Sequence, residues 1–249
     1  MMRYKECSIL NGYGFNKVQI CFCVDVTGSM STYITQTKRA IEKMMENFKT
    51  RTHFLDYEFS FLGYRDYSDE RSTFLFRQCD FKNHHNVDEI IRFIEKTDAT
   101  GGGDTPEAVL DGLYESATKL SWKPNSVKIV FHIADAPPHG KEYFSGSDSY
   151  PSGHPTNPKN ISDVVREFKK RNIKYCLIDC TSEESDLLYD MECVFGQKQN
   201  FFKFKKTKLC DDLKVYDVVS KNVREIYQKE KPNIQKMIKV IARKEGALK

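Results

Sequence analysis

Nowhere in the 249 residues does an apolar run approach the roughly eighteen that a membrane-crossing helix needs. The N-terminus, MMRYKECSILNGYGFNK, has neither the apolar core nor the cleavage site of a secretory leader. The eight cysteines are scattered, with no CxxC pair at zinc-finger spacing, so they read as reduced thiols of an intracellular protein. There is no GxxxxGK[ST] phosphate loop, and Gly12-Tyr13-Gly14 precedes the first strand, so it is no dinucleotide fingerprint. The net charge of +4 is too small to argue for nucleic acid. It is uneven, however. From Lys198 onward fifteen Lys or Arg face six acids, which leaves the rest mildly acidic.

The stretch VQICFCVDVTGSMSTYI, Val18 to Ile34, organises the remainder. Val18, Ile20, Cys21, Phe22, Cys23 and Val24 form a short, nearly continuous apolar run that suits a strand buried on both faces. It stops at Asp25. Thr27, Gly28 and Ser29 form a turn, and Ile34, Thr37, Ile41, Met44 and Phe48 then share one face of a helix. Asp25, Thr27 and Ser29 thus fall at the carboxyl end of a strand, where open α/β sheets bind ligands.

Further along, strands are expected over 54–63 and 72–79 as a hairpin, then over 126–135, 173–180 and 200–204. Helices are expected over 87–96, from Pro106 through Leu120, over 161–171 and 182–192, over 209–228, and from Ile234 to Ile241. Pro106 is expected at the first helical position. This alternation predicts one doubly wound α/β domain, its mostly parallel sheet flanked by helices and edged by one antiparallel hairpin. Residues 136–160 form a long loop rich in Gly, Pro, Ser and Tyr, of a length usually functional or mobile.

Three polar clusters close strands or open helices: Asp25/Thr27/Ser29, Asp104/Thr105 and Asp135. In such a sheet these loops meet on one edge. Carboxylates and hydroxyls without His or Cys suit Mg2+, Mn2+ or Ca2+, not zinc. Each cluster has a plainer reading. Thr27 or Ser29 could cap a helix, Asp104 with Glu107 matches a capping box, and Asp135 could be a turn residue. DVTGS lacks the second aspartate of an aspartyl-phosphate motif. His132 reads as core, and His139 and His154 flank the long loop without a recognisable nucleophile and base.

Asp25-Val26-Thr27-Gly28-Ser29-Met30 resembles the DxSxS signature of von Willebrand factor A domains, their metal-ion-dependent adhesion site. Gly101 to Leu113 (GGGDTPEAVLDGL) and Ile133 to Gly140 (IADAPPHG) resemble the second and third elements. They read most like the A domains of intracellular alpha-kinase-linked proteins, although no kinase domain fits in this length. The resemblance implies a Rossmann-like fold over 17–228, between an N-terminal extension at 1–16 and a basic C-terminal helix at 229–249. It implies that Asp25, Thr27 and Ser29 are first-loop ligands and Asp135 the third-loop aspartate. Gly103 stands where many members carry a threonine, so either Asp104 or Thr105 must substitute or the site binds metal differently.

The function expected is that of a cytoplasmic, non-enzymatic interaction module. It would hold a magnesium-type cation, completed by a partner protein's Asp or Glu carboxylate. The alternatives are a scaffold subunit held by its basic C-terminal helices, and a kinase-related regulatory domain.

Overall fold

The computed structural model describes residues 17–31, 33–35, 38–39, 42–43, 46, 56–83, 85–181, 219, 221–223, 225–230, 232 and 236. Five strands form one sheet: β1 (Lys17–Asp25), β2 (Asp56–Tyr64), β3 (Phe76–Asn83), β4 (Val127–Ala134) and β5 (Ile173–Asp179). Their spatial order is β3-β2-β1-β4-β5. β1 runs parallel to β2 and β4, β4 runs parallel to β5, and only β3 is antiparallel. The helices are α1 (Val87–Glu95), α2 (Val109–Thr118) and α3 (Ile161–Arg171). The described residues within 31–46 and 219–236 are also helical. No helix among the described residues is long and apolar enough to cross a membrane. The strand expected over 200–204, the helix over 182–192 and the extension at 1–16 lie outside the described residues.

The two-residue repeat of a strand divides β1 between two cores. Val18, Ile20, Phe22 and Val24 face the layer holding α1, Met30, Ile34, Val219, Val223 and Ile226. Cys21 and Cys23 face the layer holding α2 and α3. Phe22 stacks between Phe59 and Phe131, at ring-centroid distances of 6.5 and 6.0 Å. Full burial of each such ring contributes about 1.5–3 kcal/mol. The described cysteines are free thiols.

Two boundaries differ from expectation for local reasons. The hairpin's second strand begins at Phe76, because Ser72 and Thr73 fold back to the Asp69 carbonyl and Arg65 donates to Thr73. α2 begins at Val109, because the Glu107 amide donates to the Pro137 carbonyl and bridges the chain to Pro138. Pro106 therefore lies before the helix. α3 follows expectation. Asn160 and Asp163 form a reciprocal capping box, and Asn172 closes the helix in the left-handed region at φ 54°.

His132 is core, as its place in an apolar strand implies. It lies between the hydroxyls of Tyr64 (2.7 Å) and Tyr175 (2.9 Å). Burial lowers its pKa to about 3, so the row is neutral. The row also fixes the Tyr64 ring against α2, where a Cβ on Gly112 would sit 2.6 Å from Tyr64 Cδ1. Gly112→Ala should therefore overpack this interface and destabilise the fold by about 1–3 kcal/mol. A thermal melt should record a drop of about 2–4 °C per kcal/mol. An unchanged midpoint would mean that Tyr64 can move aside.

Candidate metal centre

Val24 of β1 pairs with Ile133 of β4, so Asp25 and Asp135 emerge side by side at the carboxyl edge. Asp25 is fully buried. Its Oδ1 accepts the Thr27 amide at 2.9 Å and the Thr27 hydroxyl at 2.6 Å. The Thr27 and Ser29 hydroxyl oxygens lie 3.4 Å apart, and Ser29 donates to Asp135 Oδ1 at 3.1 Å. The first-loop and third-loop residues singled out in the sequence therefore meet.

Two of the plainer readings, the caps by Thr27 and by Asp104, do not hold here. Thr27 precedes a 3-10 turn, Gly28–Met30, yet its side chain makes no cap hydrogen bond. It donates to Asp25 instead. Asp104 does not cap α2 either, since its Oδ2 accepts the Ser149 amide at 2.6 Å.

The glycine loop reaches this cluster through backbone contacts. Gly28 N donates to Gly101 O (3.1 Å) and Thr100 N to Val26 O (3.2 Å). Gly101 and Gly102 lie at φ 86° and 89°, a region open to glycine. The loop then docks on acids in the turn after β2. Gly102 N donates to Asp69 Oδ2 at 2.9 Å and Gly103 N to Asp66 Oδ2 at 3.0 Å.

The second loop contributes a carboxylate that sequence reasoning missed. Glu107 is 4% exposed. A Cβ on Gly102 would sit 3.0 Å from Glu107 Oε1 and 3.5 Å from Thr27 Cβ, so Glu107 lies beside the first loop. Among the described residues, Asp25 Oδ2 and Glu107 Oε2 are buried with no hydrogen-bond partner. Thr105 is exposed. Asp104 converges instead on Asp66 and His139, with one ligand atom from each within 4.8 Å of the others. Signals for these residues existed. Asp66 lies two residues past the end of β2, and Glu107 lies three positions beyond Asp104, a spacing that also matches a cap.

The electrostatics are those of crowded acids. Burial raises Asp25 to about 7 against the hydrogen bonds of Thr27, and Asp135 adds to the rise. Burial raises Glu107 to about 10, with further repulsion from Asp25, Asp66, Asp69 and Asp135. Burial also raises Asp135, against Ser29. Oxygen donors, two of them orphaned and mutually repelling, fit a hard divalent cation such as Mg2+, Mn2+ or Ca2+. Asp25, Thr27, Ser29, Asp135 and Glu107 could hold one.

The long loop packs against this edge. His139 stacks on Tyr67 at 4.8 Å, Tyr150 meets Tyr67 edge-on at 5.3 Å, and the Tyr143 hydroxyl accepts the Ile161 amide. His139 lies between Asp66 Oδ1 (2.9 Å) and Asp148 Oδ1 (2.8 Å). Burial pulls its pKa down, but the two carboxylates outweigh burial and hold it above the ordinary value.

In chelator, this crowding ties stability to pH. Unfolding returns Asp25 and Glu107 to the ordinary carboxylate range near 4. Between about pH 4 and 7 the unfolded chain then holds fewer protons than the folded one, and stability falls as pH rises. Each proton contributes up to about 1.4 kcal/mol per pH unit. Glu107→Gln removes one of them, so denaturant titrations of the chelated variant between about pH 5 and 7 should show a shallower fall. Equal slopes would mean that Glu107 ionises normally.

A model of the von Willebrand factor type A domain matches residues 19–214. A Dictyostelium discoideum protein described as alpha-protein kinase vwkA is 39% identical over 194 residues, 77% of this chain and 28% of that protein. A putative ariadne-like RING finger protein of Acanthamoeba polyphaga mimivirus is 31% identical over 124 residues, 50% of this chain and 11% of that protein. The chain thus spans under a third of either relative. Among solved structures, the SpaC pilus adhesin of Lactobacillus rhamnosus GG superposes with a TM-score of 0.56 at 10% identity. That match covers 86% of this chain and 31% of the adhesin. A variant of the PilB minor pilin of Streptococcus sanguinis gives 0.58 at 14%, over 86% of this chain and 62% of the pilin. At these identities the structural likeness is one of fold alone. The match over most of the sequence, on a sheet whose carboxyl edge gathers Asp25, Thr27, Ser29 and Asp135, makes this chain a member of the von Willebrand factor type A domain family.

Proposed function

We propose that the chain is a non-enzymatic protein–protein interaction module working through a divalent cation, Mg2+ or Mn2+ by preference. Domains of this family are generally interaction modules, which is the coarse part of the reading. The finer part rests on one observation: Asp25 is fully buried, and its Oδ2 has no hydrogen-bond partner among the described residues. A buried carboxylate oxygen without a donor is costly unless a cation completes it.

In this reading Asp25 and Asp135 supply charge, and Thr27 and Ser29 supply neutral oxygens. Glu107 takes the second-loop place expected of Asp104 or Thr105. The hydroxyls leave the cation undercompensated, so it attracts an Asp or Glu carboxylate from a partner protein. Glu107 moderates that pull. A third carboxylate strengthens retention of the metal while weakening its demand for a partner's oxygen. The cytoplasm is the proposed compartment, in keeping with free cysteines in the strands.

Thermal unfolding in rising Mg2+ or Mn2+ tests this. A cation at about one hundred times its Kd should stabilise the folded chain by about 2.7 kcal/mol. Asp25→Ala should abolish the gain, and a pull-down with wild type should lose its partner in chelator. Equal stabilisation of both proteins would refute the assignment of Asp25.

A further inference from the structure

The Asp66, Asp104 and His139 group belongs to a different part of the edge, and its chemistry is not that of the hydroxyl-rich first loop. It combines one imidazole with two carboxylates, the three ligand atoms lying within 4.8 Å of one another. The imidazole is aimed by a carboxylate behind it. His139 Nδ1 faces Asp148 Oδ1 at 2.8 Å, and Asp148 is itself fixed by the amides of Gly140 (2.8 Å) and Tyr150 (2.7 Å). Nε2 then points at Asp66 Oδ1 at 2.9 Å. A carboxylate that orients the far nitrogen of a histidine is the usual support for a metal-ligating imidazole.

Two further observations mark unsatisfied carboxylate oxygens on the same second loop. Among the described residues Asp104 Oδ1 is buried and has no hydrogen-bond partner, although Oδ2 is held by the Ser149 amide. Glu107 is almost wholly buried, with Oε2 unpartnered, and feels Asp25 and Asp66 most strongly of all charged groups.

We propose that Asp66, Asp104 and His139 form a second cation site, selective for a borderline transition metal over magnesium. A nitrogen donor beside carboxylates favours Mn2+, Fe2+, Co2+ or Zn2+ over Mg2+. In the metal-free chain a proton on Nε2 bridges to Asp66. Binding replaces that proton, so one proton leaves as the metal enters, while the Nδ1 proton stays on the imidazole and is donated to Asp148. Asp104 and Glu107 supply oxygens that have no partner before binding. The site joins the glycine loop, the turn after β2 and the long loop, so a metal there orders the rim of the first centre. The site shares Glu107 with the first centre but not Asp25, so Asp25→Ala disables the first centre while leaving Asp66, Asp104 and His139 in place.

The probe is Co2+, followed by visible absorption and equilibrium dialysis on the Asp25→Ala chain, in which the first centre is disabled. One Co2+ per chain with a ligand-field band is expected. Asp25→Ala combined with Asp104→Asn should lose it, and Asp148→Asn should weaken it by about 10–100-fold. Asp104 is not fully buried, so its variant should fold, and circular dichroism checks this. If Asp25→Ala itself proves unfolded, the same comparison runs on the otherwise wild-type chain, where Asp104→Asn should lower Co2+ stoichiometry from two to one. The proposal is overturned if Asp25→Ala folds and retains no Co2+, or if Asp104→Asn leaves stoichiometry and spectrum unchanged. Loss of Mg2+ stabilisation in Asp25→Ala with Co2+ retained would support both centres.

Discussion

Asp25 sits at the end of the central strand with one oxygen saturated by its own turn and the other without a donor among the described residues. A buried, half-satisfied carboxylate is among the costlier things a fold can hold. The surroundings make this more acute, because Asp135 repels Asp25, and Asp25, Asp66, Asp69 and Asp135 all repel the neighbouring Glu107. The Gly101–Gly103 loop must approach these groups without side chains. A Cβ on Gly101 would meet Asp69 Oδ1 at 2.3 Å, and one on Gly103 would meet Asp66 Oδ2 at 2.8 Å. The hydrophobic sheet supplies the rigidity that keeps such groups together. β1 is buried on both faces, and its neighbours lock its end in register.

Much of this was legible in the sequence because β1 and β4 end where an apolar run meets an aspartate. Asp25 and Asp135 announce themselves in this way, and their neighbours in the sheet follow from the alternation of strands and helices. Glu107 was not legible, for a physical reason. Its spacing from Asp104 is also the spacing of a capping box, and sequence cannot tell a carboxylate that folds back onto amides from one that turns toward other carboxylates. The bridge between Glu107 and Pro138 decides the matter, and it is a contact between segments thirty residues apart. Asp66 was hidden in a charged turn that reads as solvated until β2 is seen to deliver it to the same edge.

The likeness to pilus proteins at 10 and 14% identity shows how little of the sequence the fold itself requires. What the fold requires is a buried parallel sheet with helices on both faces. What distinguishes this chain is the chemistry at the edge, and there the histidine and the extra carboxylates set it apart from a plain arrangement of hydroxyls and two aspartates.

Asp66 has both oxygens committed, Oδ1 to His139 and Oδ2 to the Gly103 amide and the Ser68 hydroxyl. It therefore clasps two loops that are remote in sequence. A clasp of this kind makes the loops one cooperative unit, since neither can lift from the turn after β2 without disturbing the anchor of the other. Local opening of the rim would thus expose the amides of Gly103 and Gly140 together, as a single foldon, while the sheet beneath stays closed.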